Sequence, residues 1–341
     1  MTRRTVLVTG ASGVVGTAVL AELSGYDVIA AGYRRLPAGS DRVVKLDLHA
    51  PSLGLGRRAY RDLCAQVDAV IHSAAIVNFS ADQAEVDRLN IEGLGRVMEL
   101  AAEADATLVH VSTAYVSRYG QAGGGGRLGT EKVAARTDEY VTSKYLGEQM
   151  VRDSGLDSVI VRPAIVIGDS RTGVIRQNQA VHLLAEYLLT GKLPFIPAHP
   201  GTFFDLVPQD MVARGIRAVL DADLRKGEYW LTAGPAGMPV ERYLELVTEI
   251  AGECGVDMPA GRLADPSIVE RLVRPAFEDV LPPEDLARLD GVVAVCGLVI
   301  IPELLPTSFG EIPGGPDAMT REQLEDAWRV CLRHLIRGLK L

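Results

Sequence analysis

Thr5-Val6-Leu7-Val8-Thr9-Gly10-Ala11-Ser12-Gly13-Val14-Val15-Gly16 decides the fold of this 341-residue chain. The apolar run Thr5–Val8 predicts a buried strand, and Thr17-Ala18-Val19-Leu20-Ala21-Glu22-Leu23 predicts the helix that follows. Glycines at 10, 13 and 16 allow a tight turn, close approach of a pyrophosphate and close helix–strand packing. Strand, glycine turn and helix in that order predict a nucleotide site at the carboxyl end of a parallel strand. Gly10, Ser12, Gly13, Val14, Val15 and Gly16 are its candidate contacts.

The pattern continues outward. Asp27–Gly32 reads as a second strand, and Tyr33-Arg34-Arg35 follows it where a carboxylate would receive the hydroxyls of an adenosine ribose. Guanidinium groups suit a 2′-phosphate, so Arg34 and Arg35 point to NADP(H) over NAD(H). Val43–Leu46 reads as a third strand, with Asp47-Leu48 placed for an adenine edge. The strand Ala69–Ile71 ends in His72-Ser73-Ala74-Ala75, whose small residues let phosphates and ribose pass close to the backbone. A lone strand-end histidine such as His72 reads as structural. Leu108–Val111 delivers Ser112-Thr113-Ala114-Tyr115-Val116. Ser158–Arg162 delivers Pro163-Ala164-Ile165-Val166, an apolar wall for a nicotinamide.

Tyr140 and Lys144 are four residues apart, on one face of a predicted helix. A phenol is a poor proton donor near neutrality, with a pKa of about 10, and a nearby ammonium is expected to lower that value. Thr113, Tyr140 and Lys144 together are the candidate catalytic group, with Lys144 also holding the cofactor ribose. Asn90 is expected to anchor a water or a backbone segment behind Lys144, or to serve structure alone.

These ordered matches resemble the extended short-chain dehydrogenase/reductase family over roughly residues 3–235. The resemblance rests on the glycine turn, Asp47-Leu48, His72–Ala75, Asn90, Ser112-Thr113, Tyr140/Lys144, Arg162-Pro163 and Phe204–Val212. His72–Phe79 and Ser112–Val116 look most like the reductases of acyl thioesters, including terminal reductase domains of peptide synthetases. The resemblance implies hydride transfer to an acyl thioester on CoA or a separate carrier, giving an aldehyde or, with a second hydride, an alcohol. Ketone or aldehyde reduction, sugar-nucleotide epimerisation and a non-catalytic NADP(H) sensor are the alternatives.

The alternation of strands and helices predicts an α/β fold, a Rossmann-like doubly wound parallel sheet with a smaller, mostly helical C-terminal substrate lobe. The expected boundaries are 1–170 with about 203–235 for the cofactor domain, and 171–202 with 236–341 for the lobe. A helix is predicted over 174–190, and Gly123–Gly126 reads as a loop near the site mouth. A net charge of −9 argues against nucleic-acid partners and would repel an acidic carrier. Arg118, Arg127, Arg171 and Arg176 are candidates for a local basic patch that offsets it. Cys64, Cys254, Cys296 and Cys331 lack metal-site or CxxC spacing, so no metal is expected and a reducing compartment is. Strand one begins almost at once, leaving no space for a leader, and cytoplasmic localisation is expected. The apolar run Gly291–Ile301 is too short to span a bilayer and reads as core, interface or acyl-chain wall.

Overall fold

Strand β1 (Thr5–Thr9) is buried along its whole length, as a strand covered on both faces must be. With β2 (Asp27–Gly32), β3 (Arg42–Lys45), β4 (Ala69–His72), β5 (Thr107–Val111), β6 (Ser158–Pro163) and the strand Lys226–Leu231, it forms one seven-stranded sheet. Every pairing in that sheet is parallel. The order is Lys226–Leu231, β6, β5, β4, β1, β2, β3. The chain therefore leaves β1 toward β2 on one side and takes up β4 on the other. That reversal opens a crevice beyond the carboxyl ends of β1 and β4.

The computed structural model describes the chain apart from residues 1–2, 34, 38–39, 78–81, 120–130, 194, 274, 277–279 and 281, and the side chains of 131–136, 284–285 and 287–289. Arg34, Asn78-Phe79, Gly123–Gly126 and Arg127 thus lie outside the described residues.

Alternation along β1 sends its side chains to opposite layers. Val6 and Val8 join the core built with α1 (Val14–Glu22) and the helix Gln209–Asp221. Leu7 joins the core built with α2 (Arg57–Cys64) and α4 (Gly93–Glu103), where Val151 of α5 (Glu131–Asp153) also packs. Burying a side chain such as Leu7 completely contributes about 1.5–3 kcal/mol. Helices on both faces of a parallel sheet make this a Rossmann-like α/β fold, as the alternating pattern predicts.

A third core collects the helices Ala180–Leu189, Val240–Glu253, Pro283–Val299 and Arg321–Leu339. Trp328 and Tyr243 stack at its centre, 5.3 Å apart, and Tyr243 donates its hydroxyl to the Val181 carbonyl at 2.6 Å. Most of Gly291–Ile301 lies in the helix Pro283–Val299, with Val293, Cys296, Val299 and Ile301 buried in this core. Among the described residues no helix is long and apolar enough to cross a membrane.

One local expectation changes. The helix predicted over 174–190 starts only at Ala180. Ahead of it, Asp169 Oδ1 accepts the Arg171 and Thr172 amides, and Gly173 takes a left-handed φ of 70°. The segment after Met238 is mostly helical, as expected, with short strands between the helices. Ile300–Ile301 and Met238–Pro239 flank Phe203–Phe204 in an antiparallel sheet, and Arg262–Ala264 pairs with Phe195–Pro197.

Candidate active site

The glycine turn sits at the crevice. Gly10 has φ 66°, a conformation that a side chain disfavours, and a Cβ there would lie 2.5 Å from the Ala74 amide nitrogen. A Cβ on Gly16 would lie 2.2 Å from the Gly10 carbonyl oxygen, so α1 is seated directly on the turn. Gly13 differs: a Cβ there would meet only that oxygen, at 3.2 Å. Gly13 is also the N-cap of α1 and supplies no side-chain cap to the helix's first amides. The turn is closed toward protein and open at Gly13, which fits a pyrophosphate at the α1 amino terminus. Ser12, Val14 and Val15 are half-buried beside it.

Ser73 closes the β4 side. Its hydroxyl donates to the Thr9 carbonyl at 2.8 Å, tying the β1 and β4 exits together. Ala74 and Ala75 continue that exit half-buried. Asn90 lies in a single π-helical turn, Arg88–Glu92, between α3 (Gln83–Asp87) and α4. Its Oδ1 accepts the Ile76 amide at 2.8 Å, and its Nδ2 donates to the Ile76 carbonyl and to Ser143 Oγ, at 3.2 and 3.1 Å. Asn90 therefore anchors a backbone segment, the β4 exit, to α5.

At the other edge of the crevice, Asp47 Oδ1 accepts the His49 amide, and Leu48 packs into the α2–α4 core. The Leu48 carbonyl is taken by Arg96 at 2.9 Å. Arg35 is exposed just beyond β2. Pro163, Ala164 and Val166 are buried; the Ala164 amide bonds the Leu231 carbonyl and the Ile165 amide bonds that of Asp205. They form a firm apolar wall.

Thr113 ends the β5 exit as the N-cap of the short helical turn Ala114–Arg118, and its hydroxyl also bonds the half-buried Tyr140. Lys144, one turn further along α5, is buried and donates Nζ–H to the Val111 carbonyl at 2.8 Å. Burial pushes its ammonium down to about 8, and Glu148 opposes that shift. The phenol departs from the sequence expectation. Burial raises Tyr140 to about 12, the Thr113 hydrogen bond pulls the other way, and Lys144 does not lower it. The physical reason is that burial brings the lysine down to about 8, so it has lost its charge where the phenol titrates.

His72 reads as structural here too. Its Nδ1 meets Thr9 Oγ1 at 2.7 Å, its ring stacks on His110, and burial with the Lys144 charge lowers it to about 3. Arg118 leaves the proposed basic patch. Its guanidinium turns inward and donates to the Leu298 and Ile300 carbonyls, at 2.8 and 3.1 Å, where the helix Pro283–Val299 ends. Arg171 and Arg176 are exposed. Sequence reasoning also missed Glu148, whose two oxygens accept from Arg162 at 2.8 and 2.7 Å. The spacing 140, 144, 148 was the available signal, since it puts all three on one helix face.

Known proteins share this family and fold. The NAD-binding family described as male sterility protein matches residues 40–216. A linear gramicidin synthase of Brevibacillus parabrevis is 29% identical over 186 residues, covering 50% of this chain and 3% of that protein. The L-2-aminoadipate reductase of Penicillium chrysogenum, in its large subunit, is 31% identical over 188 residues, covering 49% of this chain and 13% of the relative. The chain thus spans only a small part of the curated relatives it matches. The terminal R domain of the myxalamid PKS-NRPS biosynthetic pathway superposes with a TM-score of 0.75 at 20% identity, covering 100% of this chain and 92% of that one. The Bordetella bronchiseptica enzyme WbmH, solved with NAD+, gives 0.64 at 19% identity, covering 99% and 100%. With its family matched over more than half its length, the chain belongs to the male sterility protein family of NAD-binding domains.

Proposed function

We propose that this chain is an NADP(H)-dependent reductase of acyl thioesters, presented on CoA or on a carrier protein. The observation that carries the reading is the hydrogen-bonded Thr113–Tyr140 pair beside the buried Lys144, at the carboxyl edge of the sheet that bears the open glycine turn. The relatives named as a gramicidin synthase and as an aminoadipate reductase support a carrier-bound substrate.

Bound across that edge, the cofactor would supply a hydride to the substrate carbonyl carbon. Gly10 through Gly16 would receive its pyrophosphate, Ser73 to Ala75 would line its path, and Pro163, Ala164 and Val166 would wall its ring. Thr113 and Tyr140 donate hydrogen bonds to the substrate oxygen, where negative charge develops. Tyr140 then gives that oxygen its proton. A phenol held near 12 is fully protonated at neutral pH, which is the state reduction requires. The hemithioacetal so formed loses its thiol to give the aldehyde. The helices of the third core form the substrate lobe.

Incubating the protein with NADPH and a panel of CoA-bound and carrier-bound acyl thioesters tests the reading. NADPH oxidation matched by thiol release is the expected result. NADPH consumption with free aldehydes or ketones and with no thioester would move the protein to simple carbonyl reduction.

Cofactor choice is a separate expectation, resting on Arg34 and Arg35 in place of a strand-end carboxylate. Arg34→Ala or Arg35→Ala should weaken NADPH binding by roughly ten- to a hundredfold, the worth of one charge-assisted contact, and leave NADH nearly unchanged. Wild-type protein that binds both cofactors equally refutes it.

A further inference from the structure

Beyond Tyr140 and Lys144, the same face of α5 carries Glu148, which is 1% exposed. A carboxylate this deep needs full compensation. Arg162 supplies a two-pronged contact from β6, and Arg152 Nη2 reaches the second oxygen at 2.8 Å. Arg162 is itself held, bonding Glu228 and lying 5.0 Å from the Trp230 ring centre. The clamp therefore fastens α5 to β6 at the residue that directly precedes the Pro163–Ala164 wall.

The groups around Lys144 explain why one more charge matters there. From β4 and β5 it faces His72 and His110, both kept neutral by burial. The Val111 carbonyl accepts its hydrogen bond, and Tyr140 lies one turn back on α5. Glu148 is the charge that opposes its desolvation.

We propose that Glu148 is a positioning residue for the reaction: clamped by Arg162 and Arg152, it holds the Tyr140–Lys144 face of α5 against the end of β6 and serves as the buried counter-charge of the Lys144 ammonium. This rests on the reductase reading, in which Lys144 binds the nicotinamide ribose as a cation. A clamp serving stability alone would not set the pH at which the cofactor is released.

The test titrates NADPH binding by its fluorescence from pH 6 to 10 on the full chain. It compares wild type, Glu148→Gln, Glu148→Asp and the paired replacement Glu148→Leu/Arg162→Met, with Tm recorded for each. Wild-type affinity should fall as pH rises through about 8, where Lys144 loses its proton. In Glu148→Gln that limb should move down by about one pH unit or more, because an opposite charge is gone. Glu148→Asp should return it toward the wild-type position. Should Glu148→Gln fail to fold, the paired apolar replacement removes the same charge without stranding Arg162 and carries the same expectation. A limb that stays near 8 in either folded variant overturns the role of Glu148 alone. Failure of the wild type to bind NADPH or NADH at any pH overturns the reductase reading and this role with it.

Discussion

Tyr140→Phe is expected to lower turnover by about 10²–10⁴-fold, the usual worth of a positioned general acid, with NADPH bound as in wild type. The ring of Tyr140 packs against the third core, and phenylalanine keeps that packing. What disappears is the hydroxyl shared with Thr113 and the proton it carries. Single-turnover reduction and cofactor binding, measured side by side, separate the two. The phenol's environment also predicts the shape of the pH profile. With Tyr140 near 12 and Lys144 near 8, any alkaline loss of activity between pH 7 and 10 follows the lysine. A Tyr140→Phe variant within a few-fold of wild type on a thioester would remove the phenol from the mechanism.

The parallel sheet and its glycine turn were legible in the sequence because their signals are local. Gly10, Gly13 and Gly16 lie within seven residues of β1, and the structure gives each a separate geometric reason. Pairings between distant short segments were not legible. Phe203–Phe204 is two residues long and is fixed by Met238–Pro239 and Ile300–Ile301, which no local pattern links to it.

Side-chain direction was equally hidden. Spacing alone put Lys144 beside Tyr140, yet its ammonium points to the Val111 carbonyl. Arg118 read as an exposed cation and proves to be the cap of a helix some 180 residues away in sequence. Tyr115, whose hydroxyl is 3.5 Å from the Val299 carbonyl, shares that contact. The stretch from Thr113 to Arg118 thus faces the phenol at one end and fastens the end of the helix Pro283–Val299 at the other.

Thr113→Val, a replacement of nearly equal volume, tests the first of those ends. It is expected to lower the rate by about 10²–10³-fold, the effect of removing one donor aimed at a developing oxyanion. Thr113 Oγ1 also accepts the Tyr115 amide at 3.4 Å as the cap of the turn. Losing a helix cap costs typically about 1 kcal/mol, too little to unfold the chain. The third consequence has a definite sign. The Thr113 bond lowers the phenol's pKa, so valine should make Tyr140 a still weaker acid. Thr113→Ser keeps the oxygen and loses only a methyl group, so it should retain most of the wild-type rate. Serine falling with valine would assign the loss to packing around β5, whereas serine near wild type with valine two orders of magnitude down would assign it to the hydroxyl.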